Sequence, residues 1–173
     1  TTTLAGCAPA AGPGDGSGGE INWANWTYYL DFDEDTGSWT TLDAFMKKTN
    51  IRVNYYEDIE DNNTFIGKIK DQLKLHQDTG YDTFCLSDTS VVRLLERKEL
   101  QEFDRSSMPN TNANMIDIVQ RANFDPDRVS SVPYQAGMTG LVYNTQLYPE
   151  GVRNVSDLWA PALKGKVGVL SEM

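Results

Sequence analysis

The sequence predicts an α/β domain in which a mostly parallel open sheet is flanked by helices. Three strand-like segments alternate with three amphipathic helical segments between residues 21 and 95, and this alternation is typical of βαβ units. The helical segments carry apolar residues every three or four positions, whereas the strand segments are short and rich in β-branched or aromatic residues. At 173 residues the chain is long enough for one ordinary domain, or for one domain and part of a second.

The first six elements each carry a local signal. Ser38 is expected to cap the first helix and Ser87 the third, because serine accepts hydrogen bonds from free helical amides. Two acidic stretches, 31–37 and 57–63, are expected to be solvated loops. In chain order the elements are a strand from Ile21, a helix over 38–48, a strand over 51–55, a helix over 64–76, a strand over 83–86 and a helix over 87–95.

The second half of the chain carries shorter patterns. These predict an edge element over 99–104, a helix over 112–122, extended runs over 130–134 and 138–144, a short capped helix over 155–159 and a strand over 167–170. An open α/β domain rarely ends where the carboxyl edge of a strand is uncovered. The sequence is therefore expected to be a truncated part of a longer chain.

Charge and motif content argue against several functional classes. The formal net charge of −10 argues against nucleic-acid binding, which needs a continuous cationic face. No phosphate-binding loop, dinucleotide fingerprint or nucleophile elbow is present, and His76 is the only histidine. The carboxylate pairs Asp33/Glu34 and Glu57/Asp58 are expected to be solvated rather than catalytic. We therefore expect neither an enzyme nor a metal or cofactor site.

The N-terminal residues resemble the end of a lipoprotein signal peptide. Cys7 closes the tetrapeptide Leu4-Ala5-Gly6-Cys7, and the residues that follow are mostly small or polar. In a bacterial lipobox the cysteine is lipidated and becomes the mature N-terminus, which predicts a lipid-anchored extracytoplasmic protein with a flexible tether over 8–20. No apolar stretch is long enough to span a membrane, so the lipid is the only expected membrane contact. Cys85, in an apolar strand, is expected to be a free buried thiol.

Candidate ligand-binding residues follow from the predicted sheet. Ligands bind beyond the carboxyl ends of parallel strands, where the segments 26–31, 56–63 and 87–89 are expected. Trp23 is expected in the core, whereas Trp26 and Tyr29 reach this edge. An ammonium group over an aromatic face gains roughly 0.5–2 kcal/mol, and carboxylates at Asp88 and Glu172 add charge-assisted hydrogen bonds. The expected partner is therefore a small organic cation.

Several sequence motifs extend over most of the chain after Glu20. The most specific is Asn25-Trp26-Thr27-Tyr28-Tyr29 at the first strand, and others follow at 45–53, 63–69, 81–87, 132–134, 157–159 and 164–167. Together they resemble bacterial polyamine-binding proteins, the spermidine and putrescine receptors of ABC importers in the type II periplasmic solute-binding superfamily. The last two segments are shared with receptors for iron and thiamine, so they indicate the superfamily only.

The resemblance implies a fold of two α/β lobes that are joined by crossing strands and close on the ligand. Residues 1–20 would be the lipobox remnant and tether, 21–132 the first lobe, and 133–173 the hinge crossover with an incomplete start of the second lobe. The resemblance implies a monomer that captures a polyamine and delivers it to an ABC permease. A receptor of the same fold for an iron chelate, thiamine or another small molecule is the alternative, and an enzyme is less favoured.

The resemblance also assigns roles by position. Trp26 and Tyr29 would stack on the ligand, whereas Thr27 and Ser87 would offer hydrogen bonds and Glu172 would meet an amine. Several relatives have an aromatic residue at the position of Thr89, and 31–37 is an insertion, so the exact polyamine stays open. The predicted ligand-binding residues are thus Trp26, Thr27, Tyr29, Ser87, Asp88, Thr89 and Glu172, with Cys7 as the lipidation site.

Overall fold

The structure, a computed structural model, describes residues 18–169. Its first half confirms the predicted α/β architecture, in which strands alternate with helices and the main sheet is parallel. The strands are β1 (Glu20–Trp26), β2 (Phe32–Asp33), β3 (Ser38–Trp39), β4 (Arg52–Ile59) and β5 (Thr83–Phe84). The α-helices are α1 (Thr40–Thr49), α2 (Asn62–Lys74), α3 (Asp88–Glu96), α4 (Pro109–Asn114) and α5 (Asp117–Gln120). Cys7, most of the tether, Leu170 and Glu172 lie outside the described residues.

The main sheet has three strands in the order β4–β1–β5, with β1 in the centre. β1 runs parallel to β4 up to Trp26, which lies opposite Ile59. It also runs parallel to β5, where Ala24 lies opposite Phe84. Because parallel strands end at the same side of a sheet, the segments that follow β1, β4 and β5 lie at one edge.

The core forms where α2 packs against the sheet. The buried face of α2 carries Phe65, Ile69 and Leu73, whose four-residue spacing places them on one side of the helix. The helix begins two residues earlier than predicted, and the Asp61 carboxylate caps it by accepting the Thr64 amide at 2.6 Å. The buried core cluster consists of Ala24, Ile59, Phe65, Ile69, Leu73 and Leu94.

Residues 31–37 belong largely to a hairpin rather than to the expected loop, since β2 and β3 pair in antiparallel fashion. The Asp33 carboxylate accepts the Asp35 and Thr36 amides at 2.9 and 3.2 Å, which closes the turn. At the base of the hairpin Phe32 packs on Trp39, with 5.2 Å between the ring centroids. Aromatic pairing and an Asp-based turn therefore order a stretch whose composition alone indicates a loop.

The first helix receives its capping carboxylate from Asp31 and not from Ser38. Ser38 lies in β3, so the prediction that it caps α1 is wrong. The Asp31 carboxylate accepts the Thr41 amide at 3.1 Å and the Thr41 hydroxyl at 3.0 Å. Hairpin pairing places Ser38 before the helix, and the carboxylate at the other end of the hairpin satisfies a free helical amide.

β4 is longer and β5 is shorter than the sequence predicts. β4 continues to Ile59, so the first three residues of the acidic stretch 57–63, which was expected to be a loop, are strand, and its last two belong to α2. Ile59 is fully buried and pairs with Trp26, and this burial outweighs the polar residues around it. β5 keeps only the first two residues of the predicted strand over 83–86.

The chain after residue 98 is less regular than predicted. The helix predicted over 112–122 is wrong, because Met115 and Ile116 have extended backbone angles that separate α4 from α5. Asparagine side chains bond the local backbone here, as Asn114 does to the Asn110 carbonyl at 2.8 Å, and such bonds compete with helix continuation. Four segments that were predicted to be extended form no strand within the described chain. They are 99–104, 130–134, 138–144 and 167–169.

One buried carboxylate fixes the loop before residue 132. Asp125 is 3% exposed and accepts four hydrogen bonds of 2.8–3.1 Å from the amides of Val129, Ser130 and Ser131 and from the Ser131 hydroxyl. Burial by itself would raise the pKa of Asp125, but these hydrogen bonds, led by that of the Ser131 hydroxyl, outweigh it and hold the pKa below its usual value. The hydrogen bonds to the Asp125 carboxylate, rather than pairing between strands, therefore order this loop.

The chain divides into two compact units, of which the first ends at Val132 and the second begins at Pro133. The short capped helix predicted in the second unit is confirmed as a 3₁₀ turn over Val155–Trp159, with a reciprocal capping box between Asn154 and Asp157. The assignment of these units to lobes stays a prediction.

Across residues 18–169, no helix combines the length and the apolar composition needed to cross a bilayer. The other 3₁₀ turns are Arg105–Ser107 and Pro161–Leu163.

Candidate functional site

The segment that follows β1 presents two aromatic rings at the carboxyl edge of the sheet. The strand ends at Trp26, the chain turns through Thr27 and Tyr28, and the Tyr29 amide donates to the Trp26 carbonyl at 3.3 Å. This turn brings the Trp26 and Tyr29 rings to a centroid distance of 6.1 Å with 30° between their planes. Both residues are half-buried, which leaves part of each one accessible at this edge.

The side chain of Asn25 sets the position of Trp26. Asn25 is fully buried, and its Oδ1 accepts the Trp26 amide at 2.9 Å. The β1–β4 register shifts between Ala24 and Trp26, as at a β-bulge, which re-aims the side chains that follow. Among the described residues, Asn25 Nδ2 has no hydrogen-bond partner. The sequence placed Asn25 in the most specific motif but assigned no role to it.

A second part of the same edge is formed where β5 leads into α3. The Cys85 amide donates to the Ala24 carbonyl at 3.1 Å, which holds this segment beside β1. Ser87 takes the predicted N-cap position, and its amide donates to Asn62 Oδ1 at 3.0 Å. The Ser87 hydroxyl does not cap the helix; it is buried and has no partner within the described chain. Asp88 begins α3 as an exposed residue.

Two carboxylates that the sequence assigned to a solvated loop accept hydrogen bonds, Glu57 at this edge and Asp58 from Tyr81, which precedes β5. Glu57 Oε1 accepts the Tyr28 amide at 2.7 Å. Asp58 Oδ2 accepts the Tyr81 hydroxyl at 2.6 Å. The bond to Asp58, followed by partial burial, raises the pKa of Tyr81 to about 12. Both carboxylates are exposed as expected, but they are not free. The sequence signal that could have identified these contacts is the position of both carboxylates directly after the strand predicted over 51–55.

The described residues thus bring together most of the predicted site. Trp26, Thr27 and Tyr29 share one turn, while Ser87, Asp88 and Thr89 share the start of α3, at the same edge of the sheet. Glu172 and Cys7 lie outside the described residues, so their predicted roles stay predictions. Trp23 is half-buried and contacts Tyr55 edge-on at 5.2 Å between centroids, away from the core cluster where it was expected.

The chemistry of this edge suits recognition more than catalysis. Aromatic faces, exposed carboxylates and a hydroxyl with unused hydrogen-bonding capacity can bind a cation that has an apolar body. Cys85 is a free, half-buried thiol, and burial raises its pKa to about 11, so it stays protonated and unreactive near neutral pH. In the part of the chain that the structure describes, no three His, Cys, Asp or Glu side chains converge as a metal site would require.

Comparison with known proteins gives relatives of one functional type. A spermidine/putrescine-binding periplasmic protein of Salmonella typhimurium is 31% identical over 144 residues, which are 83% of this chain and 38% of the relative. The putrescine-binding periplasmic protein SpuD of Pseudomonas aeruginosa is 28% identical over 121 residues, or 69% of this chain and 29% of the relative. The chain therefore spans less than half the length of these relatives.

A solved structure has the same fold. The spermidine/putrescine ABC transporter substrate-binding protein PotD of Streptococcus pneumoniae, solved in complex with calcium and HEPES, superposes with a TM-score of 0.64 at 25% identity. The superposition covers 83% of this chain and 40% of that chain. The type II periplasmic-binding fold that the motifs implied is thereby confirmed.

The sequence profile of one family matches the larger part of the chain. The match runs over residues 40–172, and the family is described as bacterial extracellular solute-binding protein. This is a family of binding proteins and not of enzymes. This chain belongs to the bacterial extracellular solute-binding protein family.

Proposed function

We propose that this protein captures a polyamine, of the putrescine or spermidine type, outside the cytoplasm and delivers it to the permease of an ABC importer. The observation that carries the proposal is the tilted Trp26–Tyr29 ring pair at the carboxyl edge of the sheet. A polyamine combines methylene segments, which stack on aromatic faces, with ammonium groups that are attracted to those faces and to carboxylates. The named relatives in Salmonella and Pseudomonas bind ligands of this class according to their names.

The polar groups around the ring pair support the same ligand class. The Ser87 hydroxyl is buried and has no partner among residues 18–169, and a buried polar group in this condition costs about 1–3 kcal/mol unless it is hydrogen-bonded, as a ligand could do here. Thr27, in the turn after β1, and Asp88, at the start of α3, are both exposed. A micromolar dissociation constant requires about 8 kcal/mol. Two aromatic contacts and two desolvated charge pairs are of the size needed.

Calorimetric titration tests the proposal directly. The experiment uses the longest natural chain that carries this sequence, because the relatives are more than twice as long as the matched region. Spermidine and putrescine are titrated beside a ferric chelate and thiamine, which are ligands of the alternative receptors. We expect saturable heat with at least one polyamine and none with the other two compounds. The absence of heat and of any thermal shift with both polyamines would overturn the proposal.

The same proposal includes an anchor and a monomeric state. The lipobox-like tetrapeptide that ends at Cys7 and the small, polar residues after it support attachment through a lipid on that cysteine. We expect the precursor to partition with membranes and the Cys7→Ser variant to be released to the soluble fraction. Recovery of Cys7→Ser with membranes to the same extent would contradict the anchor. Light scattering of the soluble variant reports whether it is a monomer.

A further inference from the structure

The Glu57 carboxylate is hydrogen-bonded to the turn over residues 26–29, which carries the Trp26 and Tyr29 rings. Glu57 lies in the last third of β4, and its Oε1 accepts the Tyr28 amide at 2.7 Å. Tyr28 lies between Trp26 and Tyr29 in sequence, so the carboxylate is held at the peptide segment that carries both rings. A bond of this length to an ionised carboxylate is charge-assisted and roughly twice as strong as a neutral one.

The turn needs an external partner of this kind. Tyr28 has a φ of +63°, a left-handed conformation that is unfavourable for a residue with a side chain. Its side chain is 88% exposed and contributes little packing to offset that cost. The hydrogen bond that the Tyr28 amide donates to Glu57 therefore stabilises the backbone conformation that brings the Trp26 and Tyr29 rings together.

The charge of Glu57 is available for more than this bond. Glu57 is exposed, and neither of the two ion pairs within residues 18–169 includes it. Its Oε1 is fixed at the Tyr28 amide, which leaves Oε2 as a second acceptor on an oriented carboxylate. An ammonium group that lies over the Trp26–Tyr29 pair would therefore have an anchored negative charge at the same turn. Aromatic faces and a carboxylate together attract a cation more strongly than either does alone.

We propose that Glu57 is a specificity-determining residue that binds an ammonium group of the ligand beside the Trp26–Tyr29 ring pair. This inference rests on the proposed function, because it assigns the carboxylate that selects a cationic ligand at this edge. It adds a carboxylate from β4 to the site predicted from the sequence, which drew its charge from Asp88 and Glu172. It also gives the acidic stretch after residue 56 a role at the site.

The Glu57→Gln variant separates the charge from the hydrogen bond. The glutamine carbonyl can still accept the Tyr28 amide, so the turn is retained while the negative charge is removed. We expect the affinity for spermidine to fall about tenfold at low ionic strength, with a smaller loss at 0.5 M salt, because an exposed charge pair is screened by ions. The matched control is Glu96→Gln, an exposed glutamate at the C-terminal end of α3, for which we expect unchanged affinity.

The outcomes distinguish this inference from the function on which it rests. A natural chain that binds no polyamine would overturn both. A natural chain that binds spermidine while Glu57→Gln binds it equally well would overturn the role of Glu57 alone. The same holds if Glu57→Ala loses affinity but Glu57→Gln keeps it, since the carboxylate would then act only on the turn. Thermal unfolding of both variants confirms that the compared proteins are folded.

Discussion

Replacing Trp26 with alanine is expected to lower the affinity for spermidine roughly 10- to 100-fold. The indole ring forms one face of the 6.1 Å pair with Tyr29, and its removal leaves a single ring for the ligand. Loss of a cation–aromatic contact costs roughly 0.5–2 kcal/mol, and loss of apolar contact with the methylene chain adds to it. Since 1.4 kcal/mol is a factor of ten, the sum corresponds to one to two orders of magnitude. Isothermal titration calorimetry measures this change.

Trp26 also packs against the core cluster, so its substitution must be separated from a loss of folding. Trp26→Phe keeps a smaller aromatic face, and we expect it to retain more affinity than Trp26→Ala at similar thermal stability. Trp159→Ala removes a tryptophan that is 75% exposed on a 3₁₀ turn of the second unit, and it serves as the matched control. Unchanged spermidine affinity in Trp26→Ala would refute the stacking role. A uniform loss in all three variants would indicate a structural effect.

The sequence predicted the elements of the first unit wherever apolar spacing and burial agree. The four-residue spacing of Phe65, Ile69 and Leu73 identifies the buried face of α2, and all three side chains are buried. The spacing could not give the ends of β4 or β5, because those depend on pairing with β1. Ile59 shows this clearly: polar neighbours indicate a loop, but the residue is fully buried opposite Trp26 in a parallel ladder.

The sequence predicted the aromatic residues of the candidate site but not the carboxylate that bonds to their turn from a distant segment. Trp26 and Tyr29 were recognised because they follow a strand whose carboxyl end must face the functional edge, and the structure pairs their rings. Glu57 was not recognised, because its bond to the Tyr28 amide joins β4 to the turn after β1, in which Tyr28 has a left-handed φ. Neither this long-range hydrogen bond nor the left-handed conformation of Tyr28 could be predicted from a local sequence pattern. Contacts between distant segments are the part of a site that local patterns do not contain.

The second half of the chain shows where patterns fail without burial. The sequence predicted extended runs on either side of Gly137, yet Met138 and Val142 are almost fully exposed in the structure. A strand pattern specifies a strand only when a neighbouring strand or helix covers its apolar face. In the first unit α2 supplies such cover for β1 and β4. We therefore expect the α2–sheet contact to contribute most to the stability of the first unit.

Replacing Phe65 with alanine is therefore expected to have the largest effect on stability. Phe65 is fully buried, and its ring lies 5.4 Å from that of Tyr81 and 5.7 Å from that of Phe84, measured between centroids. Removing a buried phenylalanine costs about 3–5 kcal/mol through lost transfer energy and the cavity that remains. Domains of this size are stable by only about 5–15 kcal/mol. We expect the unfolding midpoint to fall by about 10 °C or more in thermal unfolding.

The matched control is Phe45→Ala on α1, where the ring is 41% exposed and the loss on truncation is correspondingly smaller. Urea unfolding of the two variants compares their free energies of unfolding, and equal slopes against denaturant show that the native states bury similar areas. An effect of Phe65→Ala no greater than that of Phe45→Ala would show that α2 is not the main cover of the sheet. Because Ile59 and Trp26 pack in or against the same cluster, a loosened α2 should also weaken spermidine binding, whereas Phe45→Ala should leave it unchanged.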